Sequence, residues 1–454
     1  MRERAQDGAR PTGPEGGVAP APVEAQTVPT ERGAQPRPGQ TTRRQFLTYG
    51  AVGLATATAT GAGLVRWGSR SAGAQVDPGV RKITLDMTHR IETMVDGTPL
   101  FTWMYMPRAG NGGPWPGGAT LPPKTLDDGT RAPDRVMRRH WASVFPERVL
   151  AVMAGQTVQI TLTNMLGEPH NLTIREEDFS NGPFRYFDTG PLPPGQSTTF
   201  TLPALSPGTY IFEDDLDSDP RFQVRPEDHG GINRSLGLHG VLIVSPPDPW
   251  TVMSGPHNRP GVDAVGEMVE FEKQYVWIFN DHDPAWNAMA QAGRAREIRM
   301  ATHMPQYFTI NGRSGVNSVE GPGSGLDTRP CGKARDPRTD PGQLIRIVNA
   351  GITIHGAHIH GNHVQIVRGS PPFSFKGEDP IAFIPHLAVK DVIPIHPRDR
   401  VDVILPCTLP PDSATPVAPG QALHYPMHSH SEPSQTAGGG LYPGGQLTDW
   451  ILLT

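Results

Sequence analysis

Short runs in which apolar and polar residues alternate recur throughout this chain. Such alternation is typical of a strand that buries one face, because successive side chains in a strand point to opposite sides of the sheet. Each run ends at Pro, Gly, Asn or Asp, which are common turn residues. The runs that show this pattern best are TVQITLTN, STTFTLPAL, GTYIFED, GVLIVS, YVWIFND, QLIRIVNAG, HVQIVRG and RVDVILP.

Helical periodicity is scarce by comparison. PAWNAMAQAGRAREIRM is the best candidate for a short helix. Closely spaced strands that are broken by turn residues predict antiparallel sandwiches. The composition agrees, because a hydrophobic fraction of 36% with 52 Gly and 50 Pro suits many short strands better than helices. The sequence therefore predicts an all-β fold.

The length and an internal echo predict two domains. A chain of 454 residues is too long for one ordinary domain. A passage rich in Pro and Gly, from Ser245 to Gly266, divides it. On either side, QTVQITLTNMLGEPHNLTI is answered by GQLIRIVNAGITIHGAHIH, in which a strand ends at Asn and a turn and a His follow. We expect two copies of one β-sandwich, over residues 78–250 and 265–454.

The first 74 residues have the composition of a tail and an export signal. Residues 1–40 are Pro, Gly and charge with almost no large apolar side chains, which predicts disorder. Residues 41–74 resemble a twin-arginine signal, with Arg43 and Arg44 before a mildly apolar run and Ala-Gly-Ala at 72–74 for cleavage before Gln75. The run is shorter than the ~20 residues of a spanning helix. We expect export to the periplasm or the exterior. This route often carries folded proteins with their cofactors loaded, which hints at a metal.

Charge and the later segments exclude other classes of protein. A formal charge of −5 with no basic run in the mature region argues against nucleic acid as a partner. No later segment is apolar enough to span a membrane. Cys331 and Cys407 are the two cysteines. In an exported chain they can form one disulfide, and a copper thiolate is the alternative.

Two histidine pairs near the end of the chain carry the clearest chemistry. His358 and His360 are separated by one residue, and so are His428 and His430. In a strand, residues i and i+2 share a face, so each pair presents two imidazoles side by side. Two such strands that face each other predict a metal site with four nitrogens. Neutral imidazole suits copper, zinc, iron or nickel.

These segments resemble the multicopper oxidase family over almost the whole mature chain. HGAHIHGNHVQIV and HYPMHSH are similar to the two histidine segments of its last domain. The segments GTYIFEDDLD, GLHGVLIV, YFTINGRS and DVIPIHPRDRVDVILP match further recurring strands. The resemblance implies two Greek-key cupredoxin-type β-sandwiches, copper as cofactor, and dioxygen with a small-molecule or metal-ion substrate. It also implies a homotrimer, because two-domain members commonly assemble in threes.

The resemblance also implies roles for single histidines. His358 and His360 resemble the pair that is divided between the type 2 copper and the type 3 copper pair, and His428 and His430 resemble type 3 ligands. His355 resembles a ligand of the mononuclear blue copper. His170, in EPHNLTI, is what remains of a His-x-His segment in the first half. All six are candidate metal ligands.

The chain departs from the family at the blue copper. Ser429 stands where the family has the cysteine whose thiolate binds that copper, and the second blue-copper histidine falls at Ser434. Serine is a poor copper ligand. Cys407 is not followed by the usual His and Met, so it does not replace the missing thiolate. A blue-copper electron relay is therefore not expected.

The first half departs as well, in an acidic stretch. Glu213, Asp214 and Asp215 stand where the family has His-Ser-His. Glu213 and Asp215 share a strand face, so a mixed histidine and carboxylate metal site is one interpretation. A solvated acidic turn is the other, because EDDLDSDP also looks like a surface loop. His239 is expected to pack, with a position facing the cleft as the alternative. The histidines at 229, 282 and 363 are expected to form hydrogen bonds or lie at the surface, and support of a metal site from outside its ligands is the alternative.

Two functions from different classes fit these residues. The first is an exported, copper-dependent oxidoreductase that uses dioxygen at the histidine site without a blue copper. The second is a non-catalytic copper-binding or structural envelope protein on a cupredoxin scaffold. A copper nitrite reductase shares the two-domain plan, but it also uses a cysteine-ligated copper, and that cysteine is missing.

Overall fold

A computed structural model describes residues 80–108, 149–178, 182–218, 230–248, 251–256, 268–319, 341–369, 389–410 and 418–454. The chain divides into two compact units, Met1–Ala72 and Gly73–Thr454, and every described residue belongs to the second. The predicted tail, the predicted signal with Arg43 and Arg44, His229 and Cys331 lie outside the described residues.

Strands make up most of the described chain. In chain order they are β1 (Val80–Thr93), β2 (Pro99–Pro107), β3 (Val149–Met153), β4 (Thr157–Asn164), β5 (Thr173–Asp178), β6 (Gly182–Asp188), β7 (Ser197–Thr201), β8 (Gly208–Glu213), β9 (His239–Ser245), β10 (Thr251–Met253), β11 (Gly255–Pro256), β12 (Met268–Glu270), β13 (Lys273–His282), β14 (Tyr307–Ile310), β15 (Gln343–Asn349), β16 (His355–Ile359), β17 (Val364–Gly369), β18 (Val389–Lys390), β19 (Val392–Ile395), β20 (Arg400–Leu405), β21 (Ala422–Ser429) and β22 (Leu447–Leu453).

Helices in the described residues are few and short. They are α1 (Ile232–Ser235), α2 (Pro284–Gln291) and α3 (Val316–Val319), with single 3₁₀ turns at Leu216–Ser218, Ala295–Glu297, Met300–Thr302 and Glu432–Gln435. The candidate helix from the sequence is α2, which begins after an Asp283 cap and breaks into 3₁₀ turns beyond Gln291. The all-β prediction is confirmed. Within the described part of the chain, no helix is long and apolar enough to cross a membrane.

The first half forms two sheets around one core. One sheet has the order β2-β1-β4-β7 and the other β3-β9-β8-β5-β6. Alternate residues such as Leu85, Ile160 and Leu242 point between the two sheets and are buried there. The pairs β1–β4 and β3–β9 are parallel, so these sheets are mixed rather than purely antiparallel as the sequence predicted.

The second half repeats this arrangement. A sheet with the order β11-β17-β20-β15-β13-β14, extended by β18 beside β17, packs against a four-stranded sheet with the order β19-β16-β21-β22. Their core contains Trp277, Ile347, Met427 and Trp450. Both candidate histidine pairs belong to the four-stranded sheet, at the ends of β16 and β21.

A third core joins the two halves. Strands β9 and β13 are apolar on both faces: Val241 and Ile243 pack against Val276 and Ile278 between the halves, whereas their neighbours fill the two sandwich cores. A strand that is buried on both faces reads as a continuous apolar run, as GVLIVS and YVWIF do.

The internal echo in the sequence has a structural counterpart at two asparagines. Asn164 Nδ2 donates to the carbonyl four residues on, and its Oδ1 accepts the N–H two residues on. Asn349 makes the same two bonds, at 2.8 Å each. Each side chain also donates across the turn, to Leu192 O or Ile395 O. The same side chain therefore shapes the same turn in both halves.

Candidate metal centre

The two histidine pairs lie side by side on the outward face of one sheet. Strands β16 and β21 are antiparallel neighbours, and His358 is directly opposite His428. Ala357 and Met427 on the same strands point the other way and are buried in the core. The period-two prediction therefore holds, although the two strands are neighbours in one sheet rather than facing each other.

Three of the four imidazoles converge. His360 Nε2 lies 3.0 Å from His428 Nε2. Each of His358, His360 and His428 offers a ring nitrogen within 4.8 Å of the other two. Ring centroids are separated by 4.3 Å between His358 and His360 and by 5.0 Å between His358 and His428. His430 lies beside this group, with its centroid 5.0 Å from His358 and 6.3 Å from His428.

The hydrogen bonds and the burial of these rings suit metal binding. His428 Nδ1 is 2.9 Å from the Ser429 carbonyl, which can only accept, so Nδ1 carries the proton and Nε2 keeps its lone pair towards His360. His358 Nδ1 is buried without a partner. Burial lowers the pKa of His358 and of His360, and the neighbouring imidazoles lower both further. A lowered pKa favours the neutral form, which is the form that binds metal.

Two glycines allow the close approach of the strands. A Cβ on Gly356 would lie 3.2 Å from His430 Cβ, so a side chain there would press on that histidine. Gly361 follows His360 at φ +82°, and a Cβ there would lie 2.6 Å from the Tyr425 ring. The glycines of HGAHIHG therefore position the imidazoles.

Ser429 is part of a closed group of hydroxyls. It is buried, and its Oγ lies 2.7 Å from Ser434 Oγ. Ser434 Oγ–H also reaches the Ser431 carbonyl at 2.8 Å. The two serines that replace expected blue-copper ligands therefore bond to each other, and neither offers a thiolate or an imidazole.

His355 is on the other face of β16 from the converging histidines. It is buried among Phe279 and Phe308, and its Nε2 is 3.5 Å from Asp281. Burial opposes ionisation of Asp281, but contacts from His303 and His355 hold its pKa well below the usual value. The structure does not bring His355 to the histidine group, because an odd spacing of three residues changes the strand face.

His170 has its own partners in the first half. Its Nδ1 lies 2.5 Å from Asp214 Oδ2, and its ring packs edge-on against Trp103 at 4.8 Å. Its Nε2 is buried without a partner. Among the described residues His170 is in no group of three metal-ligating side chains. A ligand role for His170 or His355 stays a prediction.

The acidic stretch is neither a solvated turn nor an open ligand set. Glu213, Asp214 and Asp215 are all buried. The two Glu213 oxygens accept from Arg234 at 2.8 Å and Arg398 at 2.7 Å. The remaining two carboxylates bond to side chains of the first half, Asp214 to His170 and Asn233 and Asp215 to Asn171. All three are structural acceptors.

The remaining candidates from the sequence are three histidines and one cysteine. His239 is buried with its Nδ1 2.8 Å from Arg234 O, His282 is buried beside Thr309, and His363 is exposed. Cys407 is disulfide-bonded, which removes the copper-thiolate alternative for it. The other cysteine of the sequence, Cys331, lies outside the described residues.

Sequence reasoning missed one support of the site. Trp450 Nε1 donates to the His360 carbonyl at 2.7 Å, and the Trp450 ring stacks on Tyr425 at 4.3 Å. Trp450 is fully buried. Its position opposite Tyr425 in the β21–β22 pair could have been proposed from the alternation of the two strands, but the bond to His360 could not.

Copper-containing nitrite reductases are similar to part of this chain in sequence. No protein-family model matches the chain. The chain is 25% identical over 198 residues to the copper-containing nitrite reductase of Neisseria meningitidis serogroup A, covering 42% of this chain and 43% of that protein. It is also 25% identical over 203 residues to the enzyme of the same name from Neisseria gonorrhoeae, covering 44% and 43%. The chain thus matches less than half the length of these relatives.

Solved structures of copper proteins align with most of this chain. The blue copper oxidase from Nitrosomonas europaea aligns with a TM-score of 0.47 at 19% identity, over 82% of this chain and 86% of that one. The copper nitrite reductase of the same organism aligns with a TM-score of 0.42 at 16% identity, over 83% and 94%. The sequence matches to two copper-containing nitrite reductases agree with the resemblance to copper proteins that the sequence motifs predicted.

Proposed function

We propose that this chain is an exported copper-binding oxidoreductase that uses dioxygen at the histidine site without a blue copper. The observation that carries the proposal is the convergence of His358, His360 and His428 on one face of one sheet. The relatives named above are copper proteins, and imidazole nitrogen is a preferred ligand of copper. The twin-arginine motif supports export to the periplasm or the exterior.

The histidines would bind the ion, and their neighbours would orient the rings. His358, His360 and His428 hold the ion, and the Ser429 carbonyl and the glycines around β16 orient the rings. Bound copper supplies an exchangeable electron and a Lewis-acidic centre. The imidazoles of His360 and His428 are partly exposed, so dioxygen and a small-molecule or metal-ion substrate reach the site from solvent.

Serine at position 429, in place of a thiolate, determines where a substrate would have to bind. Ser429 and Ser434 bond to each other, so neither of these two positions supplies a sulfur or imidazole ligand for a second copper. A substrate that supplies electrons to dioxygen would therefore have to bind next to the imidazoles. A homotrimer, as in two-domain relatives, is part of the proposal, and light scattering of the purified chain tests it.

Metal analysis and assays test the function together. The protein is exported in copper-replete cells, its copper is counted by mass spectrometry, and oxidation of phenols, Cu(I) and Mn(II) is followed. We expect at least one copper per chain and turnover that His358→Ala and His428→Ala abolish. His424→Ala, on the same strand but bonded to Asp449, is the control and should keep both.

A non-catalytic copper-binding protein is the second candidate, and the closed Ser429–Ser434 pair favours it. Under that function copper binds and the two histidine substitutions release it, but no substrate is oxidised. Less than one copper per chain contradicts both functions.

A further inference from the structure

The number of available imidazoles sets how many ions the site can hold. Two neighbouring strands contribute four, and only three of them offer nitrogens within 4.8 Å of one another. Metal–imidazole bonds are about 2.0–2.1 Å long, so two nitrogens on one ion lie roughly 3 Å apart. The 3.0 Å between His360 Nε2 and His428 Nε2 is that spacing.

A second ion would lack ligands in the described part of the chain. Catalytic sites usually supply three protein ligands per ion and leave a further position open. Sharing four imidazoles between two ions would leave two for each. His430 is the only one of the four outside the converging group, and it is exposed, with its backbone N–H held by Gly356 O at 2.7 Å.

The acidic stretch of the first half, as the structure describes it, does not make up the deficit. The acidic stretch stands where the family resemblance places further histidines, and each of its carboxylates is already bound. Glu213 lies between Arg234 and Arg398, and Asp214 is bonded to His170. A carboxylate that is neutralised by two guanidinium groups is a poor ligand for an additional cation.

From this geometry we infer that the chain binds a single metal ion, held by His358, His360 and His428 within one protomer, in place of a multicopper cluster. His430 is not needed to hold the ion, and its imidazole stays exposed beside the site. The inference rests on the copper-binding part of the proposed function. It differs from the family resemblance, which divides these histidines among three coppers.

Metal stoichiometry and electron paramagnetic resonance test the inference without an activity assay. The full-length exported protein is loaded with Cu(II) and passed over a desalting column, and copper is counted per chain. We expect one copper per chain. The integrated Cu(II) spin signal should equal that count, because one isolated ion has no magnetic partner.

Variants assign the ligands. His360→Ala should lower the copper count per chain at least tenfold. His430→Ala should keep one copper per chain with its full spin signal. His424→Ala is the matched control from the same strand. Folding of each variant is checked by thermal unfolding without metal, so that loss of copper is not confused with loss of structure.

Several results would overturn the inference: two or more coppers per chain, a spin count well below the copper count, no copper at all, or equal loss of copper in His430→Ala and His360→Ala. Two or more coppers with oxidase turnover would leave the proposed function intact. One copper in the triad without turnover would support the inference and contradict the enzyme.

Discussion

At the scale of single residues, burial decides which ionisable groups are available for chemistry. The carboxylates of Glu213, Asp214 and Asp215 and the imidazoles of His358, His360 and His428 all belong to groups that bind metals in proteins. The carboxylates are buried against arginine, histidine and asparagine, whereas the imidazoles keep ring nitrogens turned towards each other. The carboxylates therefore stabilise the fold, and the imidazoles are available to bind a metal ion.

Glu213 provides a residue-scale prediction. Glu213→Ala leaves Arg234 buried without its carboxylate, and breaking a buried ion pair costs about 3–5 kcal/mol. Chemical denaturation should show this loss, and the milder Glu213→Gln should lose less. The control is Glu297→Ala, which removes an exposed pair with Arg294 and should leave the unfolding curve unchanged.

Copper content separates the structural role of Glu213 from a ligand role. Folded Glu213→Gln should bind as much copper as the unaltered chain. Loss of copper at unchanged stability would mean that the carboxylate holds the metal.

At the scale of elements, the alternation of apolar residues made the strands and their faces predictable. TVQITLTN became β4 without a shift, and the i, i+2 spacing correctly placed His358 with His360 and His428 with His430 on one face. The same parity argument could have shown that His355, three residues before His358, faces the core.

The partners of buried charges were not predictable in this way. Glu213 meets Arg398, which is 185 residues away in the sequence, and neither strand pattern nor composition indicates such a contact. The convergence of three imidazoles rather than four also depends on ring orientation, which spacing alone does not determine. The sequence therefore predicts which strands carry the site, and the tertiary packing decides its ligand count.

The repeated asparagine turn gives an element-scale prediction with an internal control. Asn349→Ala and Asn164→Ala each remove side-chain hydrogen bonds to carbonyls and to one N–H of the turn, at a cost of about 1–3 kcal/mol for each group left unsatisfied. Both variants should be less stable by similar amounts in denaturant. Only Asn349→Ala should bind copper more weakly, because its turn leads into β16 and the histidines. Equal copper affinity in the two variants would contradict a link between this turn and the site.

A second element-scale prediction concerns the glycine after His360. Gly361→Ala and Gly155→Ala both place a Cβ at φ near +80°, which costs about 1–2 kcal/mol in each. Only Gly361→Ala also meets the Tyr425 ring, and overpacking adds about 1–3 kcal/mol. We expect Gly361→Ala to be the less stable variant in denaturant and to bind copper more weakly, because Tyr425 stacks on Trp450, which is bonded to His360. Identical behaviour of the two variants would show that the ring moves aside freely.

At the scale of the whole molecule, the two sandwiches share structure that neither can keep alone. Val241 and Ile243 of β9 pack on Val276 and Ile278 of β13 between the halves. A buried polar group crosses the same boundary: Asp402 accepts from Arg346 and from the Thr209 hydroxyl, which belongs to the first half. Separation of the halves would expose this apolar surface and leave the Arg346–Asp402 pair without the Thr209 bond.

This shared core predicts that the halves unfold together. Calorimetry of the exported protein should show one transition, and hydrogen exchange should show that amides of β4 and β15 lose protection at the same temperature. Ile243→Ala removes a side chain from the shared core, at a cost of about 2–5 kcal/mol. It should lower the midpoint temperature of the single calorimetric transition without splitting the transition in two. Residues 78–250 expressed alone should be poorly folded, because the outer face of β9 would then lie in water. Two resolved transitions, or a stable isolated first half, would show that each sandwich is self-sufficient and that the histidine sheet does not depend on the first half for its stability.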